Sequence, residues 1–370
     1  MAMGMNLVFL AAIQCVIFFI SALLITTVSC DDAALIPSSD TAVNDWFQAN
    51  VKPFASRKGT LDPALAAAEA NPKTIKVRKD GSGDFKTVTD ALKSIPAKNK
   101  QRVIVDIGGG VYNEKVTVEV GKDFVTFIGS SKDKPTIAFG KTAKEVGTDD
   151  SATLIVDGDY FVAVNLIIQN TAPRPDGRPK AQAVALRIWG NKAAIYGCRL
   201  LGFQDTLCDD KGLHFYKDCY IEGTVDFIFG RGKSMFLNTE IKVLEDKLLT
   251  VITAHARSTA KEDTGFVFAH SKINGDGTGA FLGRAWMEMP RVIFAYSKMS
   301  RVVNPGGWFD NFHPERQKTV EFAEYKSTGP GSEPSGRVKF TKQLTDAEAK
   351  AYLTLGYIQS AQWLLPPPAL

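Results

Sequence analysis

Two short stretches each carry an aspartate three residues after a glycine: GFQDTL, residues 202–207, and GTVDFIFG, residues 223–230. Asp205 and Asp226 stand 21 residues apart, and the flanking sequence repeats at the same interval. Acidic side chains are seldom buried without a partner, yet both sit among mostly apolar neighbours. If the fold stacks residues one repeat apart at strand spacing, about 4.8 Å, the two carboxyls become neighbours. Repulsion then leaves one protonated and the other ionised, the splitting that acid–base chemistry uses. The plainer reading is a polar ladder in a β-turn. A calcium site is disfavoured, because no further Asp or Glu shares the register.

Other groups fall near this register. Gln204 precedes Asp205, and Gln182 lies 22 residues earlier, about one repeat back. Their amide N–H groups could bind an oxyanion; taken alone, they would as readily form a structural amide ladder. In LGRAW, residues 282–286, Arg284 is the natural group to keep one carboxylate charged. Trp286 lies two residues on and so shares its face of a strand, where an indole suits stacking on a sugar ring.

Something must hold these groups in register. A polar, helix-prone stretch over about residues 40–70 leads into TIKVRKDGSGDFKTVTDALKSIP, which predicts a strand, a Gly-rich turn and a helix ended by Pro96. Short β-branched and aromatic runs then alternate with Gly, Asn and Asp turns until a closing helix at TDAEAKAYL. VNLII, YGCRL, KDCYI, LNTEI, AHSKI and AYSKM share one template, whose second positions are Asn165, Gly197, Asp218, Asn238, His270 and Tyr296. The intervals are 32, 21, 20, 32 and 26 residues. Irregular periods of this size with β chemistry predict an all-β, right-handed, single-stranded parallel β-helix with short flanking helices. A leucine-rich repeat would need an LxxLxL pattern that is missing, and a β-sandwich would lack this register.

Composition sets wider bounds. Of 370 residues, 45% are hydrophobic, enough for a large core, and 44 Lys+Arg against 40 Asp+Glu leave a net charge of +4. So mild a balance does not argue for nucleic acid and suits an acidic polymer at least as well. Leu7 to Cys30 is almost wholly apolar and ends in small residues. It predicts a secretory signal peptide over residues 1–30, although about 20 apolar residues would also serve as an uncleaved anchor. Residues 31–72 then form an N-terminal segment and 73–365 the β-helix domain. Cys198 and Cys219 repeat at the 21-residue interval and are expected as neighbouring buried thiols rather than a bridge. Cys208 is expected to be the more exposed. No GxSxG supports a serine hydrolase, and GRGKS, residues 230–234, lacks the first P-loop glycine.

Taken together, GSGDF (81–85), GVYNE (110–114), QNTA (169–172), QAVAL (182–186), GFQDTL, GTVDFIFG and LGRAW occur in one order. In this the chain resembles the pectin methylesterase (pectinesterase) family of the plant cell-wall type, over about residues 73–362. The resemblance implies an enzyme that hydrolyses galacturonate methyl esters, needs no metal or organic cofactor, and is a secreted monomer of the cell wall. Its implied partners are pectin, as methyl-esterified homogalacturonan, and a proteinaceous pectinesterase inhibitor. It also implies roles: Asp226 as nucleophile, Asp205 as general acid/base, and Gln182 and Gln204 as oxyanion stabilisers. Arg284 would orient the nucleophile, while Thr148, Gln182, Arg284 and Trp286 would hold substrate. Two departures stand out. CDDKGLHFYKD, from Cys208, replaces the family's usual Tyr and downstream His, and the inhibitor-like pro-region of many plant members is absent. A polysaccharide lyase or galacturonan hydrolase could share the fold and the acidic polymer, and a non-catalytic wall-binding β-helix would bind without releasing methanol.

Overall fold

The computed structural model describes residues 32–368, so the predicted signal peptide lies outside the described residues. Three parallel sheets, one of eleven strands and two of eight, run the length of the domain. The chain visits them in rotation, one strand per sheet per turn, which makes a right-handed parallel β-helix. Most inter-strand pairs fall 20 to 32 residues apart, as between Leu213 and Lys233 or Leu237 and Ala269.

The repeat template proves to be a corner. Asn165, Gly197, Asp218, Asn238, His270 and Tyr296 all have φ between +49° and +58°. This left-handed conformation is one most residues avoid. Two residues separate the large-sheet strand from the next strand at each of these corners, as at Val164 to Ile167 and Lys217 to Tyr220. A seventh left-handed residue, Lys326 at φ +47°, falls 30 positions after Tyr296. The second residue of each corner points inward: Leu166, Cys198, Cys219 and Ser271 are buried. That position explains the two cysteines. They stack in register beside the Arg199–Tyr220 pair and are free thiols, as expected.

Two residues before four of these corners, Tyr216, Phe236, Phe268 and Phe294 form an internal aromatic ladder. Their centroids lie 4.4 to 4.5 Å apart and the rings are tilted by 8° to 12°. Each stacked contact adds about 1 kcal/mol beyond simple burial, so the ladder locks coil to coil.

The ends are covered. Helices Val43–Asn50 and Pro63–Glu69 lay Val43, Phe47 and Leu65 on the outer face of the large sheet, against Phe215, Leu237 and Val267. Helix Val88–Lys93 begins at an N-cap, Thr87, whose side chain accepts from the Asp90 amide. Glu114 of GVYNE accepts from its Val88 and Thr89 amides at 3.1 and 2.9 Å. The closing helix is shorter than the sequence pattern predicts: after the Thr345–Glu348 capping box it spans only Asp346–Ala349.

Candidate active site

The site lies where the chain turns onto the eight-stranded sheet that contains strands Leu207–Asp209 and Val225–Gly230. Leu207 pairs with Ile228 and Cys208 with Phe229. Counting back two residues sets Asp205 opposite Asp226, and the Asp205 amide donates to Val225 O at 3.0 Å. The 21-residue register therefore brings the two aspartates together.

Both aspartates also sit in left-handed backbone, φ +65° at Asp205 and +50° at Asp226. At Asp226 a bulge is the reason. Toward the next strand, Val225 pairs with Val251 but Ile228 with Thr253, so Asp226 and Phe227 together oppose Ile252. A bulge re-aims side chains and is common beside active sites. Gly223 makes room for it: a Cβ there would lie 2.2 Å from that of Phe227.

The two carboxyls are 8% and 5% exposed, close enough to solvent to receive a ligand and buried enough to feel each other. Arg284, at the end of strand Phe281–Arg284, grips Asp226 with two parallel hydrogen bonds: Nε to Oδ1 at 2.8 Å, and Nη2 to Oδ2. Its remaining arm, Nη1, donates to Asn311 Oδ1 at 2.8 Å, and its guanidinium lies 4.6 Å from the ring centre of Trp286. Burial, and then the Asp226 charge, push Asp205 well above the ordinary carboxylate range, with Arg284 pulling weakly the other way. Burial also raises Asp226, but the Arg284 hydrogen bonds and charge oppose it. Asp205 is thus the carboxyl that keeps a proton and Asp226 the one that gives it up.

The glutamines stack as their spacing predicts. Ala183 N donates to Gln204 O at 3.1 Å, which places Gln182 one coil behind Gln204, and the Gln182 side-chain Oε1 is buried without a hydrogen-bond partner. Thr148 belongs to the neighbouring turn. Its carbonyl accepts from Ser151 Oγ at 2.6 Å, and that hydroxyl accepts from the Val184 amide at 3.1 Å, which stitches the turn to the Gln182 coil. Trp286 is 46% exposed at the edge of the site. An ionised carboxylate on a rigid arginine, beside a carboxyl that holds a proton and two amide side chains, can attack an ester carbonyl and protonate its leaving group.

One expectation needs revision. Cys208 is not the exposed thiol: it is 2% exposed, packed with Ala152, Ile155 and Val184 under the partly buried Phe229. It does point away from the core of the helix, but the 148–153 turn covers that face, and burial raises its pKa well above the usual value. One site residue, Asn311, is an addition, which spacing could not reveal because it lies in an irregular turn outside the repeat. It and Phe312 are consecutive left-handed residues, φ +59° and +61°, and Phe312 is 86% exposed.

A cavity of about 390 Å³ lies elsewhere, between Phe54, Arg102, Tyr160 and the tail from Trp363 to Pro368. The carboxyls instead reach the surface of the eight-stranded sheet, each slightly exposed, beside the exposed Trp286.

Comparison with known proteins agrees with this geometry. The family model described as Pectinesterase matches residues 74–361. Pectinesterase 1 of Olea europaea is 53% identical over 347 residues, 93% of this chain and 94% of its own. Among solved structures, the pectin methylesterase from carrot superposes with a TM-score of 0.73 at 31% identity, covering 81% of this chain and 99% of that one. A pectin methylesterase in complex with a hexasaccharide superposes with a TM-score of 0.68 at 27% identity, over 80% of this chain and all of that one. The chain belongs to the pectinesterase family of carboxylic ester hydrolases.

Proposed function

We propose that the chain hydrolyses the methyl esters of galacturonate units in pectin by an aspartate nucleophile and an aspartate acid/base. The observation that carries this reading is the asymmetry of the stacked carboxyls: Arg284 holds Asp226 bidentately, while burial and the Asp226 charge raise the pKa of Asp205. Asp226 attacks the C6 carbonyl, and the resulting oxyanion is met by the amides of Gln182 and Gln204. As the C–O bond to methoxy breaks, Asp205 gives its proton to the departing methanol, leaving an acyl anhydride on Asp226. Water then attacks that carbonyl and yields its proton to Asp205. The free galacturonate leaves, Asp226 is again a carboxylate, and Asp205 is again protonated. Trp286 and Thr148 flank the reacting ring, and Arg284 fixes the nucleophile throughout.

The setting follows from the same reading. The apolar leader directs the protein out of the cell, and a wall polymer is where such a substrate occurs. The test is methanol release from methyl-esterified pectin, with unsaturated products assayed in parallel with and without calcium. Methanol without chain cleavage supports the reading; unsaturated products, or binding without methanol, would overturn it.

A further inference from the structure

Arg284 and Trp286 have a counterpart. LRIWG sets Arg187 and Trp189 on the same sheet, in and just after strand Leu186–Ile188. In both pairs the guanidinium lies over the indole two residues on, at 5.1 Å for Arg187 and 4.6 Å for Arg284, and both tryptophans are 46% exposed. The ladder relates them. Arg187 pairs with Cys208, Cys208 with Phe229 and Phe229 with Ala254, while Thr253 pairs with Gly283, which sets Ala254 opposite Arg284. The coil of Asp226 is therefore the middle of five. One Arg-x-Trp lies two coils before it and the other two coils after, each roughly 10 Å along the sheet at strand spacing.

The two pairs differ in charge. Arg284 is committed to Asp226. Arg187 is tied to Asp157 at 3.1 Å and Asp210 at 3.5 Å, and Arg231 leans on Asp210 at 3.6 Å. Lys211, exposed and 5.8 Å from the Trp189 ring centre, forms no ion pair among the described residues. Arg187, Lys211 and Arg231 thus outnumber Asp157 and Asp210 around this indole. We propose that Trp189 and Lys211 form a second sugar platform on this sheet, which takes a galacturonate ring whose carboxylate is free. The ring's apolar face lies on the indole and its carboxylate meets the Lys211 ammonium. This rests on the proposed pectinesterase reaction and extends it to a chain long enough to span both tryptophans.

The test compares wild type, Trp189→Ala, Trp189→Phe and Lys211→Gln on methyl-esterified digalacturonate and on long oligomers, fully or partly esterified. Trp189→Ala should raise KM for long, partly esterified oligomers about five- to tenfold, with kcat unchanged. The digalacturonate, too short to reach from the reacting ring, should be unaffected, and Trp189→Phe should restore most of the loss. Lys211→Gln should raise KM only where free carboxylates are present. An unchanged KM for Trp189→Ala on long oligomers, or an equal rise on the digalacturonate, would overturn the platform. An equal effect of Lys211→Gln on both degrees of esterification would overturn its preference for the acid. Wild type that releases no methanol from any substrate would instead strike at the reaction itself.

Discussion

Three residues separate Asp205 from Asp209, yet they belong to opposite kinds of buried acid. Asp205 stands at the site beside a second carboxylate; burial and then the Asp226 charge raise its pKa, against the pull of Arg284. Asp209 points into the helix and is fully buried. It accepts from His214 Nδ1 at 3.0 Å, Tyr216 OH at 2.7 Å and Ser234 Oγ at 2.7 Å. His214 Nε2 faces Gly190 O at 2.9 Å, so both ring nitrogens meet acceptors and both must carry hydrogen. Burial alone would lower the His214 pKa, but the Asp209 charge and these hydrogen bonds outweigh it and raise it above the ordinary 6.5. The interior acid is an ion pair whose two oxygens take three donors. The site acid is left in need of a partner. Buried charge that is satisfied serves structure, and buried charge that is not is available for chemistry.

The sharpest way to break this contrast is Asp226→Asn. An amide cannot form the acyl intermediate, so methanol release should fall at least about a thousandfold, with circular dichroism unchanged. A folded variant that keeps a tenth of wild-type turnover would remove Asp226 from the nucleophile's place. Next in size is Asp209→Asn, which leaves the His214 imidazolium without its counter-charge. We expect a loss of about 3–5 kcal/mol in urea unfolding, while turnover per folded molecule stays within about twofold. The sign with pH is fixed. Because the folded His214 pKa is raised, its pairing stabilises fully below 6.5 and is lost as pH rises through the folded value. The deficit of the variant should therefore shrink toward alkaline pH, and a deficit that grows would contradict the ion pair.

Asp205→Asn should act in the reverse sense. Turnover should drop at least about a hundredfold for want of a proton donor, but stability should improve. A carboxyl whose folded pKa is raised contributes most below its ordinary value of 3.8 and loses that contribution as pH climbs through the folded one. The variant should flatten that decline, as read from unfolding midpoints between acid and neutral pH. Equal slopes for variant and wild type would mean that Asp205 is not proton-bound. The smallest effect is that of salt. Raising ionic strength should increase KM on pectin several-fold by screening the surface of the site, yet barely move the unfolding midpoint set by the enclosed Asp209–His214 pair. A flat KM would show that charge does not steer the polymer.

These regions were unequally visible in the sequence. Asp205 and Asp226 could be paired because the corners on either side of their coils keep a fixed interval, and Arg284 could be assigned because its chemistry demands a carboxylate. Asp209 and Asp210 look alike on paper. One step of the pleat sends the first inward to His214 and the second outward to Arg187 and Arg231, and so part of CDDKGLHFYKD, Asp209 and His214 to Tyr216, is core while Lys211 is exposed. The bulge at Asp226 left no trace, since it adds one residue to an interval that already varies. Asn311 was hidden for a related reason: its contact with Arg284 spans 27 positions and obeys no repeat.

The left-handed corner has a consequence for how such a molecule can change. At six successive turns two residues carry the chain from the large sheet to the next, whatever the length of the rest of the coil. Growth and loss of residues are thereby steered to the two remaining corners, one of which leads onto the sheet that carries the site. Loops over the polymer can lengthen, shrink or be traded between coils while the aromatic ladder stays in step. What the protein grips and how it folds are inherited separately.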